Sequence, residues 1–167
     1  MLPKLITNYQ SGLSQEIKEL LENHYVRLSK EAYKKLEDGS IWHEGFKISK
    51  NFKSKSDEIK DYILNNKPFP YGIWKYLAKD KVTWDHTVPT TVLVNQIIEL
   101  DKNNFLKLNT YSDLVEKYGF VTIITTEEDG KLNEAGYRQK MPEVWQFGPN
   151  ADLFARYKEL GIEVYEK

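Results

Sequence analysis

Twice in its last third the chain runs helix, glycine, strand, and that pattern narrows the fold more than any other feature. Tyr111 to Tyr118 holds helical spacing and stops at Gly119, and the apolar, β-branched run Phe120-Val121-Thr122-Ile123-Ile124-Thr125 follows. Asn150 then opens a helix to Leu160, Gly161 closes it, and Ile162-Glu163-Val164-Tyr165 reads as a final strand. Helices that end on glycine beside short strands predict neighbouring strands, with parallel pairing among them, covered by helices. The expected fold class is therefore α+β, with one domain spanning residues 1–167, a long N-terminal amphipathic helix and a small mixed sheet covered by helices.

The N-terminal helix is the strongest periodic signal. From Ser14 as N-cap, Ile17, Leu20, Leu21, His24, Tyr25, Leu28, Ala32 and Leu36 keep one face apolar as far as Gly39. They predict one long helix, or two broken near Ser29. Ile41 to Ile48 alternates around Gly45 and reads as a short strand or hairpin. Ser49 to Ser56 reads as an exposed loop, and Ile59, Tyr62 and Ile63 mark a short helix after it. Asn65 to Gly72 is turn chemistry, Ile73 to Lys79 a helical patch, and Lys81 to Trp84 a strand. Pro89 suits a first helical turn, where its missing N–H costs nothing, and Val92, Leu93, Ile97 and Leu100 continue that helix. Thr126 is the expected cap of a helix reaching almost to Gly136.

Composition sets outer bounds on function. With 40% hydrophobic and 29% charged residues the chain is globular rather than disordered. It has no cysteine, which excludes disulfides, thiol nucleophiles and Cys-based zinc sites and suits a reducing compartment. No apolar run approaches the roughly 18 residues of a membrane span, and Met1 to Thr7 turns polar too soon for a signal peptide. The expected address is the cytoplasm, with no membrane partner. The abundance of Lys, Asn, Ile and Tyr resembles AT-rich coding, as in a bacterial or phage source.

Net charge is −1, yet Lys and Arg exceed Asp and Glu in residues 1–83 while the reverse holds in residues 84–167. The basic excess gathers at Lys47, Lys50, Lys53 and Lys55, interleaved with Phe46 and Phe52. That is the composition of a phosphate-contacting loop and equally of a solvated one.

Four constellations carry chemistry. Asp85-His86-Thr87-Val88-Pro89 falls between a strand and a helix, and Asp-His-x-x-Pro resembles the opening of the HNH (ββα-metal) endonuclease motif. The resemblance covers these residues alone. It implies Asp85 as a metal ligand, His86 as the general base that activates water, and a divalent ion (Mg, Mn or Zn) polarising a phosphodiester. The family places a further His or Asn on its helix. No histidine follows His86 here, so that position falls to Asn103, Asn104, Asn109 or Asp113, and Thr90 to Leu100 reads as helix where the family has a loop. The alternative is purely structural: Asp85 and Thr87 cap the helix, Trp84 is core, and His86 is a hydrogen-bonded histidine.

Trp42-His43-Glu44 is a second such cluster. If its strand neighboured the first, His43, Glu44 and Asp85 would make a metal set together with His86. His24 is expected in the core face of the first helix. Thr125-Thr126-Glu127-Glu128-Asp129 ends an apolar strand, where acids hold a cation or, as the preferred reading, favour a first helical turn. Finally Tyr137 to Pro149 is a long irregular connection in which Arg138, Lys140, Trp145 and Phe147 either grip nucleic acid or pin the loop.

Two functions follow. One is a metal-dependent nuclease or related phosphodiester-acting enzyme, with His86 and Asp85 catalytic, Asp85, His43 and Glu44 on the metal, and Lys50, Lys53, Lys55, Arg138 and Lys140 on nucleic acid. The other is a non-enzymatic binding or inhibitor protein of a phage or mobile element that acts on a host protein or nucleic-acid complex.

Overall fold

The computed structural model describes residues 26–48, 51–65, 67, 71–104 and 108–166. At its centre is β3 (Val121–Thr125), buried along its whole length. β1 (Val26–Leu28) pairs with it in parallel, Val26 opposite Val121, and β2 (Val82–His86) pairs antiparallel on its other side, Val82 opposite Thr125 and His86 opposite Val121. The sheet order is β1-β3-β2. Helices complete a mixed, helix-covered α+β arrangement: α1 (Lys30–Asp38), α2 (Glu44–Ile48), α3 (Phe52–Leu64), α4 (Thr90–Lys102), α5 (Leu108–Tyr118), α6 (Thr126–Glu134) and α7 (Ala155–Glu159), with a 3-10 turn at Tyr71–Tyr76.

Both faces of β3 are covered, which explains why its five residues are apolar or threonine rather than alternating. Val121 and Ile123 face one cluster, formed with Val26 and Leu28 of β1, Ala32 and Leu36 of α1, Phe46 of α2 and Ile59 and Ile63 of α3. Ile124 faces the other side, against Leu132 of α6, Tyr157 of α7 and Ile162. A further cluster joins α4 to α5 through Leu93, Val94, Ile97, Val115 and Tyr118, with Met141 closing it.

Of the two expected readings, one helix to Gly39 or two broken near Ser29, the structure has the break, with strand rather than helix just before it. Val26, Arg27 and Leu28 are strand, because pairing with β3 overrides their helical spacing, and the break falls at Ser29. The Ser29 hydroxyl accepts the Ala32 N–H at 3.1 Å and starts α1, and Gly39 ends it with φ at 82°, a left-handed conformation that favours glycine. The positions before it, Ser14 to Tyr25 with His24 among them, lie outside the described residues.

Other boundaries moved for identifiable reasons. Ile41 to Ile48 is not a strand: Trp42 makes one isolated bridge to Leu77, and α2 begins immediately after His43. The expected loop at 49–56 is α3 from Phe52 onward, since Ser56, Ile59 and Ile63 bury one helical face. α6 is capped by Thr125 rather than Thr126, in a full capping box with Glu128. α7 starts at Ala155 instead of Asn150, because Asp152 is folded in a turn whose carboxylate accepts the Phe154 N–H at 3.0 Å and whose carbonyl accepts Trp145 Nε1 at 2.8 Å. The last strand shrinks to a single antiparallel bridge, Ser29 to Val164. No helix among the described residues is long and apolar enough to cross a membrane.

Candidate functional site

β2 carries Trp84, Asp85 and His86 to one end of the sheet, and α4 starts four residues later. Between them, α6 and the segment after Tyr137 lies a cleft of about 360 Å³ lined by Thr83, Trp84, Asp85, His86, Pro89, Thr90, Thr91, Asp129, Arg138 and Gln139. Apart from Trp84 and Pro89 the lining is polar or charged.

Three features give this cleft its chemistry. Pro89 stands at the N-cap of α4 and supplies no side-chain acceptor; its carbonyl accepts the Val92 N–H at 2.9 Å, which leaves the N–H groups of Thr90 and Thr91 without a side-chain cap at the start of a 13-residue helix. The Thr90 hydroxyl is buried without a hydrogen-bond partner. Arg138 is exposed and brings a guanidinium to the same rim. The amide dipoles and the guanidinium favour an anion, and the Asp129 carboxylate in the same lining opposes one. His86 lines the same space, and imidazole is the side chain most often used to move protons near neutral pH.

Beneath the cleft is a buried polar network. Arg156 of α7 is fully inaccessible, and its Nη2 donates to Asp85 Oδ2 at 2.7 Å, the His86 carbonyl at 2.7 Å and the Thr87 carbonyl at 2.9 Å. Its Nη1 donates to the Tyr137 carbonyl at 2.7 Å. The Tyr157 hydroxyl also donates to Asp85 Oδ2. Burial pushes the Asp85 carboxyl up, opposed by the Arg156 charge and the Tyr157 hydroxyl, with Asp129 adding to the push. Burial, then the Asp85 charge, holds the Tyr157 phenol well above its ordinary range. Next to it, the Thr87 and Thr122 hydroxyls pair at 2.7 Å, both buried.

These contacts bear on the metal centre that the HNH resemblance implies, and the donor set does not fit it. Asp85 Oδ2 is shared by a guanidinium and a phenol, so that oxygen is held in a buried ion pair rather than offered to a metal ion. His43 and Glu44 do not line the cleft. His43 Nδ1 instead accepts the Phe46 N–H at 3.1 Å at the start of α2, and Glu44 is exposed, 3.7 Å from Lys47. Among the described residues no three His, Asp or Glu side chains cluster as a metal site. Asn103 and Asn104, exposed just past α4, and Asp113, exposed on α5, are likewise outside the cleft lining.

The basic positions separate. Arg138 reaches the cleft; Lys140 is exposed beyond it, with its chain against Gly136. Lys53 is exposed in the first turn of α3, Lys55 pairs with Glu58 at 2.9 Å, and Lys50 lies outside the described residues. Trp145 and Phe147 pack edge-on against Tyr118 and each other, so they pin the 137–150 segment to the α4–α5 cluster. Sequence reasoning gave Arg156 and Tyr157 no role. The signal for Arg156 was a lone cation inside Leu153-Phe154-Ala155-Arg156-Tyr157, but nothing local named its partner. Compared with protein-family models, curated proteins and solved structures, the chain matches none.

Proposed function

We propose that the cleft at the end of β2 binds a phosphate group and that the protein is a nuclease or related phosphodiester-acting enzyme. The observation that carries this reading is the convergence, in one polar cleft, of His86, Arg138 and the uncapped start of α4 with the Thr90 hydroxyl. In this reading the phosphate sits on the first-turn amides of α4 with Arg138 beside it, and the negative charge that grows in the transition state is met by donors already in place. His86 accepts the proton of the attacking water or hydroxyl as its oxygen bonds to phosphorus; the bond from phosphorus to the leaving ester oxygen breaks, and that oxygen departs and takes its proton from solvent. Asp85 holds the end of the strand rather than taking part in the reaction.

The test uses the full chain with bis(p-nitrophenyl) phosphate, single- and double-stranded DNA and RNA, each in EDTA and with Mg²⁺ or Mn²⁺. Turnover should fall by roughly a hundredfold or more in His86→Ala, and Arg138→Ala should weaken inhibition by inorganic phosphate. Wild type that turns over none of these yet binds phosphate at His86, seen as a shift of its imidazole proton resonance, would move the protein to the non-enzymatic binding class. Wild type that shows no turnover and binds no phosphate overturns the reading.

A further inference from the structure

We infer that Arg156 is the positioning residue of this cleft: one buried guanidinium sets the distance between the lip that carries His86 and the lip that carries Arg138. The inference rests on the phosphate-site reading above. Its geometry is specific. One lip is the turn from β2 into α4, and Nη2 of Arg156 grips it by the carbonyls of His86 and Thr87, immediately before the residues that start the helix. The other is the segment leaving α6, and Nη1 grips it by the carbonyl of Tyr137, the residue before Arg138. His86 and Arg138 are thus each at, or one peptide bond from, a carbonyl that Arg156 holds, and α4 starts three residues after Thr87.

A guanidinium suits this task because its donors diverge in one rigid plane. Nη2 carries two hydrogens and meets three acceptors, so those hydrogens are shared among two carbonyls and Asp85 Oδ2. Asp85 in turn is held by Tyr157. That second contact fixes Asp85 from the neighbouring position of α7 and keeps the guanidinium plane from rotating. Sequence separation makes the arrangement informative: α7 contributes no residue to the cleft lining, yet both lips are tied through it. A buried arginine needed only for charge balance would be satisfied by the carboxylate. This one spends most of its contacts on backbone carbonyls of the two cleft lips.

The decisive variant is Arg156→Lys, which keeps the charge against Asp85 but replaces a planar fork with one compact ammonium that cannot reach both lips. The control is Leu36→Ala, a fully buried position in the cluster on the other face of the sheet, where a cavity destabilises without touching the cleft. With bis(p-nitrophenyl) phosphate, Arg156→Lys is expected to lose roughly a hundredfold in kcat, since small misplacements cost that much. Inorganic phosphate should bind roughly tenfold more weakly, the worth of one charge-assisted hydrogen bond. Amide hydrogen exchange should accelerate at Thr87–Thr91 and at residues 138–139 together. Leu36→Ala should lower Tm while leaving kcat, phosphate affinity and exchange at both lips as in wild type below its transition. Arg156→Lys with wild-type kcat and phosphate affinity, or a control that loses them equally, overturns the inference.

If wild type neither turns over substrate nor binds phosphate, the function reading fails and exchange alone judges the clamp. Acceleration at both lips supports it, and acceleration at one lip or neither overturns it. Should Arg156→Lys fail to fold, Asp85→Asn combined with Arg156→Gln removes both buried charges at once and carries the same expectations.

Discussion

The two ends of this three-stranded sheet use the same materials to opposite effect. Where β1 and β3 finish, Ser29, Thr125 and Glu128 form a closed hydrogen-bonded knot beside a second cleft, of about 630 Å³, that Lys30, Lys34, Lys35 and Lys131 also line. The Ser29 hydroxyl donates to Glu128 Oε1 at 2.5 Å and accepts from Ala32, and the same carboxylate oxygen accepts the Thr125 N–H at 2.9 Å. Every contact serves the start of α1 or α6. Where β2 finishes, a carboxylate is again buried against hydroxyl and cationic donors, but there the cation also holds backbone carbonyls of both lips of the cleft, and the buried Thr90 hydroxyl has no hydrogen-bond partner. A buried acid is therefore no sign of function by itself. What distinguishes the ends is what the buried acid serves: the starts of two helices at one, a backbone clamp under a cleft at the other.

The sharpest way to break this comparison is at the open end. Arg156→Ala leaves Asp85 and three backbone carbonyls buried without their donor, and should cost about 3–5 kcal/mol, a large part of the stability of a domain this size. Equilibrium urea unfolding reads it, and a loss below about 1 kcal/mol would mean that water replaces the guanidinium. At the closed end Glu128→Ala strands the Ser29 hydroxyl and the Thr125 N–H for about 2–3 kcal/mol. Phosphate binding at the cleft should be unchanged in that variant. A parallel loss of phosphate binding would show that the two ends are coupled through α6.

The smallest effect lies beside the closed end. Tyr33 of α1 stacks on Tyr165 with ring centroids 3.7 Å apart, and burial, followed by the Tyr165 hydroxyl, pushes its phenol up to about 12. A phenol whose folded pKa exceeds its unfolded value, about 10, stabilises the fold below that pH and loses the contribution as pH rises through about 12. Tyr33→Phe should flatten the stability loss between those pH values, followed by circular dichroism with the tyrosinate absorbance recorded in parallel. An unchanged profile would assign the alkaline limit to other groups.

What the sequence made legible was what local signals specify. β2, the start of α4 behind Pro89, β3 and the helix after it each carry their signals within a few residues: β-branching, a proline at the cap, a capping box. Even the one-residue shift from Thr126 to Thr125 keeps that mechanism and changes only which hydroxyl performs it. β1 was illegible because its three residues suit a helix equally well and become strand only through pairing with Val121 to Ile123. Trp42-His43-Glu44 misled for a related reason: alternation over a few residues looks like strand, but the His43 ring and the Trp42 bond to Ser56 at 2.7 Å turn the chain into α2. For the candidate site, Asp85 and His86 were visible as a motif and Arg138 as a basic position in a loop. The residue that joins them, Arg156, sits 70 positions from His86 and was invisible to any local pattern.

The parallel pairing of β1 with β3 also dictates a schedule. A nascent chain that has emitted Val26 to Leu28 must wait for Val121 to Ile123, an interval of roughly five to twenty seconds at ordinary rates of synthesis. Throughout that delay the apolar face of α1 has no sheet to cover. Ser29 can begin its helix but lacks the carboxylate that completes its bonding. Such distant pairing slows folding and lengthens exposure to aggregation, so the yield of active protein during expression should depend on temperature and chaperone supply more than its final stability would suggest.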